Sequence, residues 1–438
     1  MRLPPRRRRR PSLAALAALG VSVLALLAGC ASGPVGPPTL TWYINPDDGG
    51  QAEIAKRCTD AAGGQYRIAT STLPRDSGDQ RQELVRRLAA NDSSIDIMSL
   101  DPPYIPEFAE AGFLAPMPPG VAARVSQGVV PSAIEGASWQ GQLVTVPFWA
   151  NTQLLWYRKS QVASMGLDLS KPVTWDQVID AAVARGTKVE AQGKRAESLM
   201  VWTNALVRSG GGQIITNPGE SNPKLVTLGL TDPPAVEAAR IMSKLANSPA
   251  APAAFSTADE DSNSEALQSG TSAFMVNWPF VWSKVTKAAG EGTIPANTPD
   301  DYGWTLYPQV RADLPAAPPY GGINLGIGHS SLHPDLAYAA SECITSAQNT
   351  AYYFESNGNP SARFASYSDP AVLAKYPMAP VILQSLTLAK PRPQTAYYAE
   401  VSGGLQRTFH PPAAIVPGPT NQAAQDLILG VLRKERLL

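Results

Sequence analysis

From residue 40 to residue 111 the sequence alternates short apolar runs with amphipathic stretches, an order that few folds satisfy. Residues 40–44 read as a buried strand. Residues 51–62 read as a helix, with Ile54, Cys58 and Ala61-Ala62 at helical spacing and Gly63-Gly64 as its stop. Residues 66–70 form a second predicted strand. Ser77-Gly78-Asp79-Gln80 has the form of a capping box and opens a helix that turns Leu84, Val85 and Leu88 inward. Residues 95–100 are a third strand, and a short helix over 105–111 stops at Gly112. The order βαβαβ predicts a parallel, doubly wound sheet. Such sheets take ligands outside the carboxyl ends of their strands. Here those ends run into Asn45-Pro46-Asp47-Asp48, into the loop before Gln80, and into Asp101. Together they describe one polar crevice. The competing reading makes Asp and Asn helix caps; both readings stand at Asp101, which two prolines follow.

Farther on, residues 144–158 (VTVPFWANTQLLWYR) place strand-like stretches on either side of Trp149-Ala150-Asn151. An extended segment of that length suits a crossing from one domain into another. Thr174-Trp175-Asp176-Gln177 is a second capping box, with a helix predicted to about residue 190. Helices over 234–246 and 262–268 belong to a second, more helical domain. A strand over 271–276 stops at Asn277-Trp278-Pro279. Residues 320–327 are a glycine-rich strand that other groups can approach closely. A helix over 336–347 carries Cys343, and the tail beyond Pro391-Arg392-Pro393 is mostly helical.

Ahead of this lies a basic start (Arg2, Arg6 to Arg10), an apolar middle and small residues, the pattern of a secretory leader. Leu27-Ala28-Gly29-Cys30 matches the bacterial lipobox, and that likeness implies cleavage after residue 29 and acylation of Cys30. The alternative is an uncleaved membrane helix. In either case residues 30–38 are a tether. Two or more acyl chains anchor stably, because each buried CH₂ contributes about 0.8 kcal/mol. Removing six leader arginines from 36 basic and 36 acidic residues leaves 30 against 36, a net charge of −6. That balance argues against a nucleic-acid partner. The remaining 409 residues (438 less 29) point to two domains. Cys58 and Cys343 are an even pair in an oxidising compartment, where a disulfide is the default and two buried thiols the alternative.

The three histidines have no partner at zinc-ligand spacing, so no metal is expected. GxSxG, Walker and GxGxxG motifs are absent, which argues against a hydrolase elbow and a nucleotide cofactor. A glycosidase needs only two carboxylates and stays open. The positive signal is aromatic residues beside planar polar groups: Trp149 with Asn151, Asn277 with Trp278, Arg392 with Tyr397 and Tyr398. Planar groups bind paired hydroxyls and an indole covers a sugar ring, so the pattern reads as recognition without turnover. Taken singly, each aromatic is better explained by core packing.

The lipobox, TWDQV, NTQLLWYR, GTSAFMVNWPFVW, GGINLGIG, SNGNPSAR and PRPQTAYYAEVS together resemble the extracellular solute-binding proteins of ABC sugar importers, family 1. The likeness spans essentially the whole mature chain and is strongest to the actinobacterial trehalose-binding lipoproteins. It implies a two-lobe, periplasmic-binding-protein-like α/β fold of type II, hinged, with the ligand cleft between lobes. The N-terminal lobe is expected to hold residues 39–149 and 303–347, and the C-terminal lobe 150–302 and 348–438. The contacts it implies are Asp101, Asn151, Glu260, Trp278 and Arg392, with Gly321-Gly322 close to the ligand and Asn324 beyond. Asn45, Asp47, Asp48 and Gln80 join them from the first loops, although NPDDGG departs from the family's usual wording. The resemblance also implies that any Cys58–Cys343 bond staples the N-terminal lobe. The expected protein is a lipid-anchored, monomeric, cofactor-free receptor, not an enzyme. It would bind a disaccharide, trehalose first, and deliver it to a permease driven by a cytosolic ATPase. The alternatives are maltose or another oligosaccharide as ligand, or a lipid-anchored glycosidase. Under this reading Asp101→Ala or Arg392→Ala strongly weakens trehalose binding and leaves the ligand-free melting temperature nearly unchanged.

Overall fold

A computed structural model describes residues 36–438. The predicted leader, Cys30 and the start of the tether lie outside the described residues. Two main sheets organise the unit Thr39–Leu438. The first has the order β2-β1-β3-β11-β6, with β1 (Thr39–Ile44), β2 (Arg67–Thr72), β3 (Ile97–Leu100), β6 (Val146–Thr152) and β11 (Tyr320–Ile327). Between β3 and β6 a small hairpin pairs β4 (Ser138–Trp139) with β5 (Gln142–Leu143). The second sheet has the order β10-β7-β9-β8, with β7 (Leu154–Arg158), β8 (Val189–Glu190), β9 (Phe274–Asn277) and β10 (Tyr302–Thr305).

As the alternation predicts, β1 pairs in parallel with β2 and β3. The sheet is nonetheless mixed, because β11 runs antiparallel to β3 and β6. The chain returns to this sheet from the second lobe and enters it from the opposite end. Strand β3 is buried along its whole length, as a central strand covered on both faces must be. The helix Gly50–Ala61 lays Ile54, Ala55 and Cys58 on this sheet, and Cys58 is bonded there to Cys343 of the helix Pro334–Ile344. The bond joins two elements of one lobe, as the resemblance implied.

Three expectations change. The helix over Trp175–Arg185 has the predicted Thr174–Gln177 capping box, but Gly186 ends it in the left-handed region, and Val189–Glu190 becomes β8. The box at Ser77 does not form: Asp76, one residue earlier, accepts from the amides of Gly78 (2.8 Å) and Asp79 (3.1 Å). A charged acceptor outcompetes the serine there and frees Gln80. The lobe boundaries also shift. Strand β6 ends at Thr152 and β7 starts at Leu154, so the first crossing is the single buried residue Gln153. The second crossing lies between Thr305 and Tyr320, because Tyr302–Thr305 pairs with β7 in the second sheet. The third runs through the helix Ala347–Asn357, whose Tyr353 stacks on Phe148 (5.0 Å) while Phe354 stacks on Tyr376 (5.1 Å).

Glu190 on β8 is buried, with the Ser272 hydroxyl as its donor at 2.5 Å, and burial pushes its carboxyl up to about 7. The folded state therefore holds this proton more tightly than the unfolded chain does. Stability falls as pH rises from the ordinary carboxylate range to about 7, by roughly 3 kcal/mol at most. Glu190→Gln is expected to raise the melting temperature at pH 8 and to leave it nearly unchanged at pH 4.5; an equal shift at both values would contradict the assignment.

Candidate functional site

A cleft of about 750 Å³ lies between the two sheets, and of the twelve ligand-binding positions named from the sequence all but Asn324 line it. The first lobe supplies its side from strand ends. Asn45, after β1, donates through Nδ2 to Gln80 Oε1 (3.0 Å), and Gln80 Nε2 donates to the Pro74 carbonyl (2.7 Å). The two amides thus tie the first loop to the second. Asp48 is exposed on the cleft wall. Asp47 behaves as a cap, accepting from the amides of Gly49 (3.0 Å) and Gln51 (2.8 Å). Asp101 precedes a short 3₁₀ turn yet makes no capping bond. Its carboxylate goes to Arg392 instead, so it does not serve as a cap.

The floor comes from the crossing strands. Asn151 lies opposite Gly321 in the β6–β11 pairing, and its Oδ1 accepts from the Thr152 amide (3.0 Å). Gly322 takes φ +120° beside an irregularity in that pairing; a β-carbon there would stand 2.2 Å from the Trp149 carbonyl oxygen. Only glycine fits so close a backbone approach. Asn324 turns away from the cleft and donates to the Gly136 carbonyl (3.2 Å).

The second lobe supplies the opposing wall. Asn277, fully buried at the end of β9, donates to the Glu260 carbonyl (2.8 Å) and accepts from the Trp278 amide (2.9 Å). One side chain therefore fixes both neighbours of the site. The Trp278 ring lies against the first lobe, 3.0 Å from where a β-carbon of Gly321 would sit. Glu260 opens the helix Glu260–Ser269, which Asp259 caps, and Lys194 pairs with Asp259 at 2.9 Å. Burial pushes the Glu260 carboxyl up to about 6; Asp259 and Asp261 add to this, while its own amide and Trp278 oppose it.

Arg392 is buried and spans two carboxylates. Its Nη2 donates to Asp101 (2.5 Å) and its Nη1 to Glu197 (2.7 Å). Asn204 donates to the preceding Pro391 carbonyl (3.2 Å) and steadies the segment. Glu197 also accepts from Ser402 (2.7 Å) and from the Tyr398 hydroxyl. Burial alone would discharge Arg392, but Asp101, Tyr398 and Glu197 outweigh it and hold the guanidinium charged. Burial pushes both carboxyls upward, against the pull of the one guanidinium they share.

Glu197 is the site residue that sequence reasoning missed. It opens the helix Glu197–Ser209, in which nearly every residue is buried. The same helix buries the polar side chains of Ser198, Thr203, Asn204 and Ser209, so residue type there does not mark which positions face a site. Trp149, noted as an aromatic beside Asn151, also lines the cleft, with an indole nitrogen that has no partner. Asn357 and Asn359, within the SNGNPSAR stretch, complete the rim. Among the described residues, no group of three His, Cys, Asp or Glu side chains is arranged to hold a metal.

Residues 70–351 match the family described as bacterial extracellular solute-binding protein. The chain belongs to that family. This solute-binding protein is 25% identical, over 342 residues, to a probable ABC transporter-binding protein of Deinococcus radiodurans, covering 74% of this chain and 75% of that one. MalE3 of T. maritima, solved with maltose bound, superposes with a TM-score of 0.76 at 25% identity, covering 91% of this chain and 99% of the other. The GacH receptor of Streptomyces glaucescens, solved with and without acarbose, superposes with a TM-score of 0.75 at 20% identity, covering 91% and 100%. Two hinged α/β lobes with a cleft between them, the fold expected from the sequence, is the fold of these solute-binding proteins. Family membership places the protein outside the cytoplasm.

Proposed function

We propose that this solute-binding protein captures a disaccharide in the interlobe cleft and delivers it to an ABC permease, with Cys30 as its lipid anchor. Trehalose is the first choice of ligand, on the motif likeness to the actinobacterial trehalose-binding lipoproteins; maltose or another α-linked glucoside is the second, on the likeness to MalE3. The observation that carries the reading is the cleft itself. Its volume lies within the roughly 300–1,000 Å³ of small-ligand sites. Its walls pair an indole, Trp278, with planar carboxylate and amide groups from both lobes, the donors and acceptors that sugar hydroxyls need. Asp101, Asn151, Glu260, Trp278, Arg392, Gly322, Asn45, Asp48 and Gln80 are the proposed contacts. A ligand shifts the closing equilibrium only through contacts it makes better in the closed form, so both lobes must touch it.

Calorimetric titration against a panel of α-linked glucosides, with a glucose assay on the same samples, tests the proposal. The expected result is saturable one-to-one binding near micromolar, about −8 kcal/mol, with no glucose released. Glucose appearing at a catalytic rate would make the protein a glycosidase, and heat from none of the sugars would leave a structural role. Trp278→Ala is expected to weaken binding by about 2 kcal/mol, roughly thirtyfold, through loss of the covered ring face.

The site also carries a pH dependence. An ionised Glu260 accepts hydroxyl protons in charge-assisted bonds. That form dominates above about 6 and is lost as pH falls through it. Sugar affinity is therefore expected to drop several-fold between pH 7 and pH 5. In Glu260→Gln the drop should flatten; an unaltered pH profile in that variant would assign the effect elsewhere.

A further inference from the structure

Arg392 is gripped from both sides of the seam between the lobes. Asp101 belongs to the first lobe, at the end of β3; Glu197 and Arg392 belong to the second. The arginine side chain keeps 4% of its exposure. On the same seam the rings of Tyr104, from the first lobe, and Tyr398, from the second, meet edge to face at 5.3 Å. Opening the cleft separates Asp101 from Arg392, but it leaves Glu197 in place. Glu197 has its own braces in the second lobe, Tyr398 and Ser402, which keep its carboxylate aimed at the guanidinium whatever the first lobe does. The two carboxylates therefore have different roles. Glu197 is a permanent partner, and Asp101 is one that arrives and leaves with lobe movement.

We propose that Glu197 is a positioning residue that holds Arg392 as a charged tongue facing the first lobe, so that the lobes close on the Asp101–Arg392 pair without any sugar present. The closed form is then partly populated before ligand arrives, and the apparent dissociation constant is the intrinsic one divided by the closed fraction. Losing the pair therefore weakens apparent affinity beyond whatever contact Asp101 itself makes with the sugar. The inference rests on the two-lobe cleft and not on the identity of the sugar.

Small-angle X-ray scattering of the ligand-free protein tests it directly. Wild type is expected to scatter with a substantial closed population. Asp101→Asn, which keeps shape and an acceptor but not the charge, and Glu197→Gln are each expected to cut the closed-to-open ratio about tenfold and to enlarge the radius of gyration. Saturating trehalose, or the best binder of the panel, should return Asp101→Asn to the wild-type closed radius. A residue that only touches sugar would lower affinity and leave the ligand-free radius alone; one that only supports the fold would lower the melting temperature at constant radius. Either result for Asp101→Asn overturns the proposal. Should Glu197→Gln fail to fold, Asp101→Asn still decides it. Because the decisive curves are recorded without sugar, a failure of the sugar assignment leaves this test intact.

Discussion

Arg392→Ala is expected to lower the stability of the ligand-free protein by about 3–5 kcal/mol, besides abolishing sugar capture. The sequence alone suggested a nearly unchanged melting temperature, on the view that Arg392 waits in an open cleft for hydroxyls. The buried cluster reverses that. Asp101 and Glu197 both rely on this guanidinium, and burial already pushes both carboxyls upward. Truncation leaves Glu197 buried without its cation, and Asp101 as well for as long as the lobes stay closed; partial protonation would relieve only part of the cost. Thermal melts of ligand-free wild type and Arg392→Ala check this. The loss should shrink as pH falls and the stranded carboxyls take up protons. A melting temperature within one degree of wild type at pH 7.5 would mean the arginine is not buried between the lobes in solution.

Gly322→Ala is the second large effect. Its new methyl would sit 2.2 Å from the Trp149 carbonyl oxygen and 2.9 Å from the Ala150 α-carbon, both backbone atoms, at φ +120°. Strain and clash together are expected to cost about 3 kcal/mol or more. The damage falls on the β6–β11 pairing, which carries Trp149 and Asn151 and feeds the crossing at Gln153. The neighbouring Gly321→Ala is the control. Its methyl meets the far edge of the Trp278 ring at 3.0 Å, and a side chain can yield where backbone cannot. Melts and titrations should separate the two: Gly322→Ala loses stability, whereas Gly321→Ala keeps it and loses sugar affinity. Equal melting temperatures for the pair would contradict the close backbone approach at Gly322.

The contrast between what could be read and what could not follows from local signals. The order of β1, β2 and β3 was legible because apolar runs alternate with helical spacing between clear stops. The cleft residues were legible because they sit at strand ends and in motifs with short-range meaning. Asn277-Trp278 ends a strand, and Arg392 lies between two prolines. Glu197 was not legible. Its helix buries polar and apolar residues alike, and its partners come from positions 392, 398 and 402, which no sequence window around it joins. Asp101 could be read as cap or ligand, and only its ion pair with Arg392, far off in sequence, excludes the cap. The capping box at Ser77 failed because Asp76 offers a stronger acceptor one residue earlier. The four-residue run Tyr302–Thr305 carries no mark of which sheet it joins, so the second crossing was placed too early.

Both lobes are expected to hold the sugar between them, intact. A crystal structure of the protein grown with trehalose, or with the best binder of the panel, tests this most directly. The expected density is that of an uncleaved disaccharide with one ring against Trp278, bounded by Glu260 from the second lobe and by Asn45 or Gln80 from the first. A sugar resting on one lobe alone, or bound outside the cleft, would contradict it.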